Sequence, residues 1–321
     1  MDTGSSLPVA FADIQSAAAR IASHVQHTPV LTSQRMNTLL GAELWFKCEN
    51  FQRVGTFKAR GAHNAVFGLP EAAVACGVVT HSSGNHAAAL SLAARSRGMR
   101  AYIVMPSNAP RIKVESVIRQ GGQVHFCEPN MQAREAAAAA LMAERGATLV
   151  HSSGDPAVIA GQGTAALELI AEVPQLQAIL APVGGGGLMA GTAIAAHGLN
   201  SAIRIVATEP EQADDAWRSW KAGRLVTGVV PDTVADGLRV SVGEVNRQIM
   251  AALLDDFVTV SEDAIIQAMR LVWEVMKIVI EPSSAVPVAA LLEGKGGLAG
   301  KRVGIILGGG NVDLDHLPWQ R

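Results

Sequence analysis

The chain has 321 residues, 49% of them hydrophobic and 17% charged, with a formal net charge of −2. That length supports a large core and two lobes, and that balance excludes a disordered or fibrous chain. With no basic block, nucleic acid is excluded as an expected partner.

Residues 1–5 show no basic region leading into an apolar core, so no secretory signal is read and a cytoplasmic protein is expected. Apolar periodicity over 14–25 predicts an amphipathic helix with Asp13 as its N-cap. His27-Thr28-Pro29 breaks it. Residues 44–49 read as strand, 50–56 as loop and 57–67 as helix. Three strand–helix pairs follow, at 78–81 with 84–95, 101–105 with 109–119, and 124–127 with 132–144. A strand at 148–151 and a helix at 157–171 come next. Cys48, Cys76 and Cys127 lie singly, without a C-x-x-C, and read as structural thiols of a reducing compartment.

An apolar run at 178–181 enters Pro182-Val183-Gly184-Gly185-Gly186-Gly187-Leu188, and an Ala-rich segment leaves it. Pro182 and the glycines rule out a membrane span and fit a buried strand, loop and helix. A strand at 203–207, a polar excursion at 209–243, helices at 244–254, 262–279 and 284–292, and a strand at 303–307 complete the chain. Strands alternating with helices predict an α/β protein of two interleaved, doubly wound parallel-sheet lobes with a ligand cleft between them.

The glycine loop is the first chemical signal. Without Cβ atoms the backbone approaches a ligand closely, and the helix behind it offers unpaired N–H groups and a positive dipole end. Together they seat an anion, most often a phosphate. One occupant is a dinucleotide: Gly185, Gly187 and Ala190 fit G-x-G-x-x-G/A, and Glu209 stands where a ribose-binding acid is expected. A nicotinamide-dependent oxidoreductase would follow. A plain tight turn fits the same residues.

Lys58 lies at the mouth of a helix beside Phe57. The dipole and the aromatic neighbour are expected to lower its pKa and favour the nucleophilic amine, although a snorkelling surface lysine fits too. His81-Ser82-Ser83-Gly84-Asn85-His86 brings hydroxyls and backbone N–H groups to a strand end entering a helix, a seat for a carboxylate or phosphate. No carboxylate or thiolate completes a zinc set with the two histidines.

Five blocks in order resemble the fold-type II pyridoxal-phosphate family, on its serine racemase and short serine/threonine dehydratase side. They are Lys47-Cys48-Glu49-Asn50-Phe51-Gln52, Phe57-Lys58-Ala59-Arg60-Gly61-Ala62, the serine loop, Ala157-Val158-Ile159-Ala160-Gly161-Gln162-Gly163-Thr164 and the glycine loop. The resemblance implies two lobes, residues 1–75 with 154–321 as a large cofactor domain and 76–153 as a small mobile one. It implies pyridoxal 5′-phosphate on Lys58 as a Schiff base, Asn85 at the ring hydroxyl, and Gly184, Gly185, Gly186, Gly187 and Leu188 around the phosphate. Ser82, Ser83, Gly84 and His86 would hold the substrate carboxylate, with Arg134 also at the substrate. Lys58 would act as base and Ser83 would face it across the cofactor. Gly237 and Glu281 match positions near substrate and ring. Glu209, the carbonyl of Ala213, and Asp215 match a Mg²⁺ or Ca²⁺ site, although an aspartate cap on a helix fits those residues too.

The implied activity is β-elimination from a small 3-hydroxy amino acid (serine, threonine or 3-hydroxyaspartate), with racemisation at the same site as the alternative and a homodimer as the assembly. A binding protein that keeps the fold without catalysis is a further alternative. The chain departs from the family at Gly308, which cannot partner the ring nitrogen, and at Ser153, where an asparagine at the cleft is usual. Ala87-Ala88 departs from the nucleotide-effector pattern, and the end at Arg321 leaves no regulatory domain expected.

Overall fold

The computed structural model describes residues 7–82 and 84–320. Helix α1 (Phe11–Ile21) has Ala10 as its N-cap, not the predicted Asp13. Asp13 sits at the third helical position, where its carboxylate accepts the Ala10 N–H at 2.8 Å, so it still satisfies an end donor. Then come β1 (Val30–Leu31), α2 (Gln34–Leu40), β2 (Glu43–Cys48) and α3 (Lys58–Gly68). β1 and α2 have no counterpart in the sequence reading, since two strand residues and a two-turn helix are too short to carry a periodicity.

The predicted pairs are β3 (Val78–Thr80) with α4 (Asn85–Ser96), β4 (Ala101–Pro106) with α5 (Arg111–Arg119), and β5 (Gln123–Cys127) with α6 (Met131–Arg145). Beyond them lie β6 (Thr148–Leu149), α7 (Pro156–Glu172), β7 (Ala178–Pro182), α8 (Gly187–Asn200) and β8 (Arg204–Pro210). The polar excursion contains α9 (Asp215–Ala222). After α10 (Glu244–Leu253) comes β9 (Asp256–Val260), a strand hidden between two helical patterns. Helices α11 (Glu262–Met276) and α12 (Pro282–Leu292) lead to β10 (Arg302–Leu307). α11 stops three residues before the predicted end, because Lys277 turns into the left-handed region at φ 60°.

Two sheets result. One has the order β1-β2-β10-β7-β8-β9, the other β5-β4-β3-β6. Every neighbouring pair is parallel except β1 with β2, which corrects the all-parallel expectation at one edge. All three cysteines are free; Cys48 is buried and the other two are half-buried.

Helices α3, α7 and α8 pack backbone to backbone through glycines. A Cβ on Gly161 would lie 2.6 Å from Gly61 Cα, and one on Gly191 would lie 2.5 Å from Ile159 O and 2.6 Å from Gly163 N. Backbone cannot move aside as a flexible side chain can, so these contacts fix the spacing of three helices. Lys58 starts the first of them and the glycine loop starts the third.

A buried ionic network adds to this frame. Arg60 donates from Nε to Glu49 Oε2 at 2.7 Å and from Nη1 and Nη2 to the two oxygens of Glu168 at 2.7 Å. Lys47 Nζ reaches Glu168 at 2.7 Å and the Thr28 carbonyl at 2.6 Å. Lys47, Glu49 and Arg60 are wholly buried. Removing one member of such a set strands the others and typically costs about 3–5 kcal/mol. The network ties β2 to α3 and α7, which explains the charged residues in two of the sequence blocks.

Gly191→Ala tests the helix spacing. Alanine in place of glycine gains about 1 kcal/mol of helix propensity, but overpacking against backbone costs about 1–3 kcal/mol or more. We expect a net loss of stability in chemical denaturation; an unchanged or raised midpoint would contradict the close packing.

Candidate active site

The glycine loop spans the gap from β7 to α8. Val183 N–H donates to Thr208 O at 2.8 Å, so the chain is still pinned to β8 as the loop begins. Gly186 then takes φ 85° as the N-cap of α8. The loop is walled by Leu238 and Ser153. A Cβ on Gly184 would sit 2.9 Å from Leu238 Cα, one on Gly185 would collide with Ser153 Oγ, and one on Gly187 would sit 2.9 Å from Ser153 O. The N–H groups of Gly185, Gly186, Gly187 and Leu188 have no acceptor among the described residues. This is an anion seat built of backbone.

Asn246 holds the loop in shape. Its Nδ2 donates to Gly185 O at 2.6 Å and to Ser153 O at 2.9 Å. Sequence reading missed it. The available signal was a polar residue on the buried face of α10, in line with Ile249 and Met250.

Lys58 meets the loop through a short turn. Its Nζ donates to Ser152 O at 2.7 Å, and the next residue, Ser153, touches Gly185. Ser153, expected at the substrate cleft, is therefore set against the phosphate-type loop. The pKa of Lys58 is lowered to about 8, mainly by burial, with the Glu281 carboxylate opposing the shift. The direction agrees with the sequence reading; the cause does not. Phe57 presents its ring 5.1 Å from Nζ, and a ring face favours an ammonium rather than an amine.

A second group converges from the other side. Asn85, the first residue of α4, donates from Nδ2 to both oxygens of Glu281 at 3.1 Å. Its Oδ1 accepts from Asn311 Nδ2 at 2.9 Å, which fixes the amide's orientation. Burial pushes the Glu281 carboxyl up to about 7, against the Asn85 hydrogen bond. Gly237 N–H donates to Ser283 Oγ at 3.1 Å, and a Cβ on Gly237 would lie 3.9 Å from Glu281 Oε1. Gly308 lies against Phe57: its carbonyl accepts the Phe57 N–H at 2.8 Å, and a Cβ there would be 3.2 Å from the ring. Lys58, Asn85, Gly237, Glu281 and Gly308 are thus brought together.

The serine loop is described only in part. Ser82 and Gly84 are half-buried, and Ser83 lies outside the described residues. His86 is buried with Nε2 3.2 Å from Val150 O. Burial and nearby Lys58 lower its pKa to about 3, so the ring is neutral. Its side chain ties α4 to the end of β6. Arg134 reaches from α6 to donate to His81 O at 2.7 Å.

Glu209 and Asp215 come close but are already engaged. Glu209 accepts the N–H groups of Ala216 at 3.3 Å and Trp217 at 2.8 Å, and so caps α9. Asp215 accepts the Val242 N–H at 2.9 Å. Burial, with the charges of Asp215 and Asp214, raises the Glu209 pKa well above the usual range. Ala213 is buried beside them. Among the described residues no group of three or more His, Cys, Asp or Glu side chains is arranged to hold a metal. The dinucleotide alternative loses its ribose-binding acid, because the Glu209 carboxylate faces a helix end.

Comparison with known proteins agrees with this geometry. A family model described as "Pyridoxal-phosphate dependent enzyme" matches residues 21–309. The chain is 50% identical over 309 residues to a β-hydroxyaspartate dehydratase of Paracoccus denitrificans, covering 96% of this chain and 98% of that protein. A maize serine racemase superposes with a TM-score of 0.94 at 44% identity, covering 97% and 96% of the two chains. A solved serine racemase of Dictyostelium discoideum does so at 0.91 with 46% identity, covering 95% and 99%.

The low pKa of Lys58 has a stability signature in protein stripped of cofactor. Its folded pKa of about 8 lies below the ordinary lysine value of 10.5, so the unfolded chain binds the extra proton between those limits. Stability therefore rises as pH climbs from about 8 towards 10.5. Below that window Lys58→Met is expected to be more stable than the parent by up to about 3 kcal/mol. Denaturation curves across this pH range check it; a gap that does not close as pH rises would contradict the shift.

Proposed function

The chain belongs to the pyridoxal-phosphate-dependent enzyme family, and we propose that it eliminates water from a small 3-hydroxy amino acid to give a 2-oxo acid and ammonia. One observation carries this reading. A half-buried lysine, its amine of lowered pKa, is joined through a two-residue turn to an anion seat made of backbone.

The residues present fit the cofactor. The loop N–H groups lack acceptors among the described residues, and added Cβ atoms at Gly184, Gly185 and Gly187 would collide with the wall of the cradle. Pyridoxal phosphate, when bound, supplies an electron sink for the pair left on the substrate's α-carbon. The protein supplies the rest. Gly184 to Leu188 seat the phosphate, and Lys58 Nζ holds the cofactor. Asn85, fixed by Asn311 and Glu281, presents its amide beside the ring. The start of α4 offers its N–H groups to the substrate carboxylate.

Freed from the cofactor, Lys58 Nζ takes the α-proton; a pKa near 8 keeps a useful fraction neutral at physiological pH. The β-hydroxyl departs as water after gaining a proton. A second water replaces nitrogen at the α-carbon, so the net products are the 2-oxo acid and ammonia. Inversion of the α-carbon at the same site is a second reading, favoured by the close superposition on a serine racemase.

The test is a panel of serine, threonine and 3-hydroxyaspartate in both configurations, followed for 2-oxo acid release and for inversion. Lys58→Ala is expected to lose at least about a thousandfold in elimination, the general-base contribution alone being about 10²–10⁴. Turnover that survives this substitution would overturn the assignment.

A divalent cation at Glu209 and Asp215 also belongs to this reading. Two neighbouring carboxylates, each pushed up chiefly by burial, are relieved by a cation more readily than by a helix end alone. Mg²⁺ or Ca²⁺ should raise Tm, and Glu209→Gln should remove that rise; an equal rise in the variant would remove Glu209 from the site.

A further inference from the structure

Strands β3 and β6 are parallel neighbours in the smaller sheet, and a histidine lies one residue past the end of β3 and two past the end of β6. His81 follows Thr80 and His151 follows Val150. The two rings meet edge to face with centroids 5.8 Å apart. His151 is exposed, and its neighbour Ser152 gives its carbonyl to Lys58 Nζ. Behind them Arg134 steadies the loop through His81 O, while its buried Nε has no partner among the described residues. This wall of the cleft is therefore rich in donors beside the reacting amine. Two carboxylates lie near these rings: Asp155 accepts the Ala157 N–H at 2.8 Å as the cap of α7, and Glu135 of α6 is exposed.

The tautomer of His151 follows from its partners. Nδ1 faces the N–H groups of Gly154 at 2.9 Å and Ser153 at 3.3 Å. Both are donors, so Nδ1 accepts and the proton of the neutral ring sits on Nε2. Nε2–H is then a donor of fixed direction, with no acceptor among the described residues.

We propose that His151 Nε2–H, with Arg134 behind it, receives a second carboxylate carried on the substrate's β-carbon, so that the preferred substrates are dicarboxylic 3-hydroxy amino acids of the 3-hydroxyaspartate class. This rests on the elimination reading above. Serine and threonine put hydrogen or methyl where the donor points, and a site built to bond a polar group discriminates strongly against analogues that lack it. The start of α4 keeps the α-carboxylate, so the two carboxylates have separate seats.

Two substitutions separate the outward donor from the anchoring role of the ring. His151→Asn keeps a side-chain acceptor for the Ser153–Gly154 turn and deletes the donor. His151→Gln restores an amide N–H near the Nε2 position. With holoenzyme, kcat/KM for 3-hydroxyaspartate relative to serine is expected to fall roughly ten- to hundredfold in His151→Asn and less in His151→Gln. In calorimetry the parent should bind succinate at least about tenfold more tightly than butyrate, and His151→Asn should lose that preference. The subsite is overturned if both substrates fall equally in both variants, if the parent prefers serine, or if succinate shows no advantage. Absence of 2-oxo acid from every substrate overturns the elimination reading instead, and the succinate comparison then decides the subsite alone.

Discussion

The site depends on helices that touch through glycine. Gly61 meets Gly161, and Gly163 meets Gly191, with no side chain between the backbones. One consequence is metric: the start of α3, which carries Lys58, is held at a fixed distance from the start of α8, which carries the anion seat. A second is electrostatic. Helices this close leave no room for water, so the charges beside them must be satisfied by protein. The Arg60, Glu49, Glu168 and Lys47 set does this on the side away from the cleft.

Inside the cleft the same dryness is put to another use. The amine of Lys58 is pushed down and the carboxyl of Glu281 is pushed up, both chiefly by burial. Two groups of opposite charge type move towards neutrality together, which places both within reach of proton exchange near physiological pH. The carboxylates of Glu209 and Asp215 are also pushed up chiefly by burial, and they lean on backbone N–H groups, Glu209 at the start of α9 and Asp215 at Val242.

Much of this could be read from the residues. The strand–helix alternation, the glycine loop and Lys58 at a helix start all carry local signals. β1 and β9 do not, because strands of two and five residues beside strong helical patterns are decided by their neighbours in the sheet. The cause of the Lys58 shift is hidden for a similar reason: desolvation is a property of the surroundings, and the sequence displays only the neighbours in the chain. Asn246 and the seat of Ser153 depend on contacts 61 and 93 residues apart in sequence. Glu209 shows the opposite limit, since its spacing fitted a ribose and a metal while the helix cap was read on Asp214 or Asp215, and the structure gives the capping bonds to Glu209.

The hydrogen bond from Lys58 to the Ser152 carbonyl has a kinetic meaning. A carboxylate in that place would bind the ammonium tightly and hold its proton. A neutral carbonyl contributes about 1.5–3 kcal/mol to an ammonium and about 0.5–1.5 kcal/mol to the neutral amine, so it holds the side chain in either state without fixing its proton. The side chain therefore has a resting point that it can leave and regain within a single turnover. On the elimination proposed above, the same lysine would serve in succession as tether, proton acceptor and tether again.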